Sequence, residues 1–299
     1  MNAGSNTVTM FAISSADPTH LTMLGTPVDV GGEFPNTVAA SIKNKVVCVG
    51  SSGAKAGISC ASFSCHGIGT MDALRPFELN QSTPPVGPTN TVSHAFFSAD
   101  ERTLFTTVKG DPAKNNTGFL AAFPVTRGSG KSGSVAQQGV MSSPEGTAVL
   151  FGSSPIPGTT DIFATDASFG GAILAIDPKT NTATVKGKGV IADQKATCWV
   201  TISPATQTAF VSDVAINRLI EMSLTDASIQ ATVDLGANGD PGLIDLRAAG
   251  TFVYALSPGN GTTEASVTVV DAVAKKQVQH VSLKALGAGK NSQGMALLL

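Results

Sequence analysis

Short apolar runs separated by polar or Gly-containing turns recur along this chain. The period, about 40–55 residues, is that of repeat architectures. Asn90-Thr-Val-Ser-His-Ala-Phe-Phe-Ser-Ala-Asp-Glu-Arg-Thr-Leu-Phe-Thr-Thr-Val108 and Cys198-Trp-Val-Thr-Ile-Ser-Pro-Ala-Thr-Gln-Thr-Ala-Phe-Val-Ser-Asp-Val214 share one plan. Val140-Met-Ser-Ser-Pro-Glu-Gly-Thr-Ala-Val-Leu-Phe-Gly152 and Ile244-Asp-Leu-Arg-Ala-Ala-Gly-Thr-Phe-Val-Tyr-Ala-Leu-Ser257 repeat it. In each, an apolar strand runs into a reversing turn and a second strand returns. No sustained stripe of 3.6-residue period competes, so little helix is expected. Radial repetition of small antiparallel sheets predicts an all-β chain, a β-propeller of six to seven blades forming one domain over residues 1–299.

The repeats predict strands Thr7–Ile13 and Leu21–Gly25 before a first complete blade from Asn36 to Leu79. Further blades follow over 91–138, 140–191, 197–235 and 243–283. Gln293–Leu299 reads as one more inner strand. A propeller removes its open sheet edge by completing one blade from both termini. Two strands at one end and one at the other fall short of four. Either the ring has six blades with an incomplete closing blade, or the parent has seven and this chain lacks an N-terminal one. The abrupt start at Met1, inside what reads as a turn, favours the latter.

Composition supports strands and narrows the partners. Thirty-two Gly and 16 Pro suit many turns, and the 42% hydrophobic residues among 299 are ample for a core. Charged residues are only 13%, with a net charge of −2. That balance gives no case for nucleic acid, and no apolar run approaches the ~20 residues a membrane span needs. A monomer acting on or binding a small molecule, without a cofactor, is the expectation.

The four cysteines lack the spacing of a zinc site. Cys48 and Cys60 fall on neighbouring predicted strands, where a matching register would allow a disulfide. Cys60–Cys65 pairing and buried free thiols are the alternatives. Cys198 reads as a small core residue. Asn80, Asn115 and Asn260 each begin an Asn-x-Ser/Thr triplet in a predicted loop, where a glycan can be attached.

The loops leading into the inner strands are where a propeller would gather chemistry. They carry Glu33, Phe34, Asn90, Gln138, Lys195, Asp240 and Gln293, with His94 and Trp199 on the strands themselves. Glu33, His94 and Asp240 are the candidate acid–base groups. Phe34, Asn90, Gln138, Lys195, Trp199 and Gln293 are candidate ligand contacts. The bland reading of Glu33 and Asp240 is a loop cap, and Gly239-Asp-Pro-Gly242 is itself a turn sequence. Glu33, Asn90 and Asp240 offer too few oxygens for a calcium site to be expected, so no metal is assigned. His66 sits in the Ser64-Cys-His-Gly-Ile-Gly69 loop, and His20 and His280 look peripheral. Gly128-Ser-Gly-Lys-Ser-Gly133 lacks the spacing of a phosphate loop and reads as an inter-strand loop. Arg218, with Glu221 nearby, reads as a structural ion pair or edge charge.

Several stretches resemble fungal secreted proteins of the 3-carboxymuconate cyclase-like family. They are Asn2-Ala-Gly-Ser-Asn-Thr-Val-Thr-Met-Phe11, Gly31-Gly-Glu-Phe-Pro35 and Leu79-Asn-Gln-Ser-Thr-Pro-Pro-Val-Gly-Pro88. Val211-Ser-Asp-Val-Ala-Ile-Asn-Arg-Leu-Ile-Glu-Met-Ser-Leu224 and Gly239-Asp-Pro-Gly-Leu-Ile-Asp-Leu246 add to the likeness, which spans nearly the whole chain. It implies a lactonase-type propeller, secretion, and one further blade before the first stretch. Some similar fungal propellers are hetero-Diels–Alderases. Three functions follow as expectations. The first is a cyclase or pericyclase with a largely neutral channel, since the loops supply only Lys195 as a cation. The second is a non-catalytic secreted glycoprotein, an antigen or adhesin. The third is a lactonase or muconate-lactonising isomerase.

Overall fold

The computed structural model describes residues 1–127 and 132–298; the glycine-rich stretch from Gly128 lies largely outside them. Among the described residues, six antiparallel sheets follow one another along the chain. The first is a two-stranded ribbon of β1 (Thr7–Ile13) and β2 (Leu21–Asp29). The second orders β3 (Pro35–Ser41), β4 (Val46–Ser51) and β5 (Gly57–Ser64), with β6 (Gly67–Ile68) and β7 (Arg75–Pro76) both pairing β5. The third orders β8 (Val92–Phe97), β9 (Thr103–Val108) and β10 (Phe119–Thr126), with β11 (Ser134–Val135) and β12 (Val140–Ser142) both on β10.

The last three sheets are four-stranded meanders. They are β13 (Leu150–Pro155) to β14 (Ile162–Asp166), β15 (Gly170–Ile176) and β16 (Ala183–Val190); β17 (Thr197–Ser203) to β18 (Thr208–Asp213), β19 (Arg218–Met222) and β20 (Ile229–Asp234); and β21 (Asp245–Ala249) to β22 (Phe252–Ser257), β23 (Ser266–Asp271) and β24 (Lys276–Ser282). Short 3-10 turns are the helical elements among the described residues. The chain divides into two compact units, Met1–Ser143 with Lys179–Thr182, and Pro144–Pro178 with Ala183–Leu299.

Two expectations change. Val140–Ser142 does not open a blade; it pairs with Ala122–Leu120 of β10 as the outer strand of the preceding sheet. The turn at Ser143-Pro-Glu-Gly146 therefore connects sheets rather than strands of one sheet. Gln293–Leu298 forms no strand.

In the first unit, β3 packs beside β8 and the two sheets share a core of Val46, Ile58, Phe77, Val92, Leu104 and Phe123. The first strand of a sheet has one neighbour, β9 for β8, so half its backbone groups face away from the ladder. Side chains of the preceding sheet take them up. Thr37 Oγ1 accepts from Ala95 N (2.9 Å), Ser52 Oγ accepts from Val92 N (2.9 Å), and Asn36 Nδ2 donates to Val92 O (2.6 Å). Gly50 makes the approach possible, because a Cβ there would lie 2.6 Å from Thr37 Cγ2 and 3.0 Å from Val92 Cγ1.

Arg75 closes the outer side of the same pair of sheets. It is fully buried, forks onto Asp72 (2.9 and 2.7 Å), and donates to Ala136 O and Val135 O, both at 2.7 Å. Pairing and hydrogen bonding offset the cost of burying its charge. Asp72 Oδ1 also accepts from Cys60 N (2.8 Å). Cys48 and Cys60 stand opposite one another on β4 and β5 and are joined by a disulfide.

The second unit repeats the scheme. Thr165 Oγ1 of β14 donates to Cys198 O of β17 (2.7 Å), and Gly152 lets β13 lie against Cys198 and Trp199. Cys198 is buried, as expected of a core residue. Arg218 pairs with Asp213 (3.6 Å) and not with Glu221, whose partner is Lys275 (2.5 Å). Residues 218 and 221, three apart on a strand, point to opposite faces.

Thr37→Val keeps the side-chain shape but leaves the Ala95 amide unsatisfied. It should lower unfolding free energy by about 1–3 kcal/mol in a denaturant titration; an unchanged midpoint would contradict the edge-satisfaction account. The Cys48–Cys60 link closes a short loop, with a sequence separation of 12. Replacing both cysteines with Ser should cost roughly 2–3 kcal/mol by the same assay, and peptide mapping of the unreduced chain should recover the linked pair.

Candidate functional site

The loops that lead into first strands are tied down by side chains. In the first unit, Thr83 Oγ1 donates to Glu33 Oε2 (2.5 Å), and Lys55 lies 3.8 Å from its other oxygen. Phe34 adopts φ +56°, a strained conformation for a bulky residue. Its N–H donates to Asn6 Oδ1 (2.9 Å). Asn90 donates to Leu79 O, accepts from Asn116 Nδ2 (2.9 Å), and receives Gln81 Nε2 on its carbonyl (3.2 Å). Asn90 thus ties the two ends of the loop from Leu79 to Asn90 together, and Glu33 holds its interior at Thr83. His94 stacks on Phe96 with ring centroids 5.1 Å apart. Gln138 is exposed.

In the second unit, aspartates at the ends of second strands hold these loops. Asp166 accepts from the amides of Ala148 (2.7 Å) and Val149 (3.1 Å). Asp213 accepts from Lys195 N (2.9 Å). Gln194 Oε1 caps the amides of Ala196 (2.9 Å) and Thr197 (2.7 Å), holding Ala196 at φ +105°. The Lys195 side chain and Gln293 are exposed.

Asp240 lies away from the inner strand where it was expected. Its buried carboxylate accepts from Ser266 Oγ (2.8 Å to each oxygen) and meets His280 Nε2 at 3.2 Å. Those partners sit on β23 and β24, two or more strands from β21, or about 10 Å at the ~4.8 Å strand spacing. The reason is topological. The segment from β20 to β21 must cross its sheet from outer to first strand, so its middle rests over the outer strands. Among the described residues, no group of three or more His, Cys, Asp or Glu side chains is placed to hold a metal ion.

A different cluster gathers on the first strands of the second unit. β13 lies beside β17, and β17 beside β21. Phe151 meets Trp199 edge-on with centroids 5.7 Å apart. The Arg247 guanidinium stands 5.8 Å from the Trp199 ring. Arg247 Nη1 donates to Asp245 Oδ1 (2.8 Å) and to Leu246 O (2.7 Å). Asp245 Oδ1 also accepts from Leu246 N (2.7 Å), and Oδ2 accepts from Met295 N (2.5 Å). The Asp245 side chain is 2% exposed and that of Arg247 35%, so the pair joins a buried carboxylate to a reachable cation.

Trp199 was expected at a site; Asp245 and Arg247 were not. Their signal was present in Leu243-Ile-Asp-Leu-Arg247, where two charges two residues apart share one face of an otherwise apolar strand.

Burial pushes the Asp245 carboxyl above its ordinary value. Arg247, the amides of Met295 and Leu246, and the Trp199 side chain favour the charged form and offset part of that rise. With the folded pKa above the unfolded one, the stability this group contributes is full below the ordinary carboxylate pKa and is lost as pH rises through the folded value. Asp245→Asn cannot ionise. Its melting temperature minus that of the wild type should therefore increase as pH is raised from about 3 to about 7. A gap that shrinks over that range, measured by calorimetry, would contradict the assignment.

No family model matches the chain, and no curated relative does. Solved structures match along most of it. A 6-phosphogluconolactonase candidate from Bacteroides uniformis aligns with a TM-score of 0.69 at 15% identity, covering 94% of this chain and 80% of that one. A second such candidate, from Bacteroides fragilis, gives 0.65 at 13%, covering 93% and 78%. The periplasmic gluconolactonase of Pseudomonas aeruginosa gives 0.63 at 12%, covering 92% and 78%. With its succession of antiparallel meanders, the chain has the β-propeller fold of these lactonase-type proteins.

Proposed function

We propose that the chain is a lactonase-type propeller enzyme that opens, or in reverse closes, a small oxygen-containing ring carrying an acidic group. The observation that carries this reading is the Asp245–Arg247 pair beside Trp199. Arg247 spends Nη1 on Asp245 and Leu246, and its remaining fork faces a partly open surface. A guanidinium edge of this kind suits a carboxylate or phosphate. The apolar faces of Trp199 and Phe151 suit the carbon skeleton of a ring.

The chemistry follows from the two charges. The Asp245 carboxylate takes a proton from a water molecule, and the water oxygen adds to the ring carbonyl carbon. The positive charge of Arg247, which holds the acidic group, also stabilises the resulting oxyanion electrostatically. The ring C–O bond breaks, the alkoxide regains the proton, and a hydroxy acid is released. Ring closure runs the same steps backwards, so a cyclase belongs to the same proposal. Arg247 weighs against a wholly neutral channel of the pericyclase kind.

The disulfide supports an oxidising, extracytoplasmic setting. Asn80, Asn115 and Asn260 are exposed, as glycan acceptors must be.

The test is hydrolysis of sugar-acid lactones with and without a phosphate or carboxylate substituent, followed by acid release. Arg247→Ala should lower kcat/KM on the acidic lactones by roughly 10²–10³-fold, the usual cost of a lost oxyanion donor. Its melting temperature should stay close to wild type. Absence of turnover on every lactone by the wild-type chain would sink the enzyme reading and favour a binding glycoprotein.

A further inference from the structure

We propose that Gln293–Leu298 is a strap that closes over the Asp245–Trp199 cluster and must lift before Asp245 can act. Its role as a brake rests on the enzyme reading above; its position as a cover does not.

The segment after the last sheet has little of its own to hold it. Gln293–Leu298 belongs to no strand or helix, and only its Met295 and Leu297 side chains are half-buried, the rest being exposed. Among the described residues, its tie to the rest of the second unit is the Met295 amide on Asp245 Oδ2. That oxygen is the one a reacting water would need. Oδ1 is already taken by Leu246 N and Arg247 Nη1. With the strap down, the Met295 amide sits on Oδ2, and a reacting water must compete with it for that oxygen. With it lifted, Oδ2 becomes a free base beside Arg247, whose guanidinium stands 5.8 Å from the Trp199 ring.

The latch is a backbone donor, so it can be removed without touching the site. Met295→Pro deletes the N–H, while Met295→Ala keeps it and removes the side chain. Both changes lie outside strands, in the full chain. Trp199 is the sole tryptophan, so its fluorescence reports on this place alone. Acrylamide should quench Met295→Pro more strongly than wild type, with Met295→Ala closer to wild type. In the unmodified chain, hydrogen exchange at Met295 should be slower than at Gln293, Gly294 and Ala296.

Equal quenching in all three proteins, or a Met295 amide that exchanges as fast as its neighbours, would overturn the strap. On an acidic lactone, Met295→Pro should raise kcat/KM on the order of tenfold, the weight of one charge-assisted hydrogen bond. Increased quenching with unchanged turnover would overturn the braking role. Increased quenching with no turnover in any of the three would sink the enzyme reading and confirm the cover.

Discussion

Each sheet begins with a strand that has a ladder partner on one side only, and the rest of the architecture depends on what its other side meets. Left bare and buried, those amides and carbonyls would each cost about 1–3 kcal/mol. At β8 and β17 the need is met by short polar side chains from the sheet before. Thr37, Ser52 and Asn36 serve β8 in this way, and Thr165 serves β17. Such bonds need close contact between backbones, which is why Gly50 and Gly152 stand where a Cβ would collide. Apolar packing supplies the attraction between sheets; the hydroxyl and amide bonds set their register.

That register is what makes a site on the first strands. Trp199, Asp245 and Arg247 sit on β17 and β21, elements fixed by ladders, inter-sheet packing and capped approaches. A buried carboxylate beside a half-open guanidinium is costly unless both are held in place. Polar groups elsewhere in the two units do other work. Glu33, Asn90, Asp166, Asp213 and Asp240 are occupied with loop amides and hydroxyls. Their carboxylates and amides are structural anchors, whereas Asp245 is shared between a structural amide and a cation with a free edge.

The strands were legible in the sequence because period-2 apolar runs and turn residues are local signals. Cys48–Cys60 was legible for the same reason, since two adjacent strands with a short turn fix one register. Three features were not. Val140 looks like the start of a blade, but its pairing with β10 is decided by a contact that no local pattern carries. The outer strands of the second and third sheets are each split in two, and Arg75, buried between them on carbonyls some 60 positions away in sequence, is a long-range outcome. Asp240 was expected near the inner strand because it shortly precedes one, yet a segment that crosses a whole sheet places its middle far from either end. The Asp245–Arg247 alternation was visible, and attention to loops alone passed over it.

The central claim is that an acidic ring compound or its opened hydroxy acid docks on Arg247 against Trp199. A crystal structure of the chain soaked with a sugar acid such as gluconate tests it most directly. The account predicts the ligand carboxylate paired with the Nε/Nη2 edge of Arg247 and its carbon chain against the indole, with Met295 drawn away from Asp245. A ligand bound at another place, with Arg247 and Met295 still on Asp245, would contradict it.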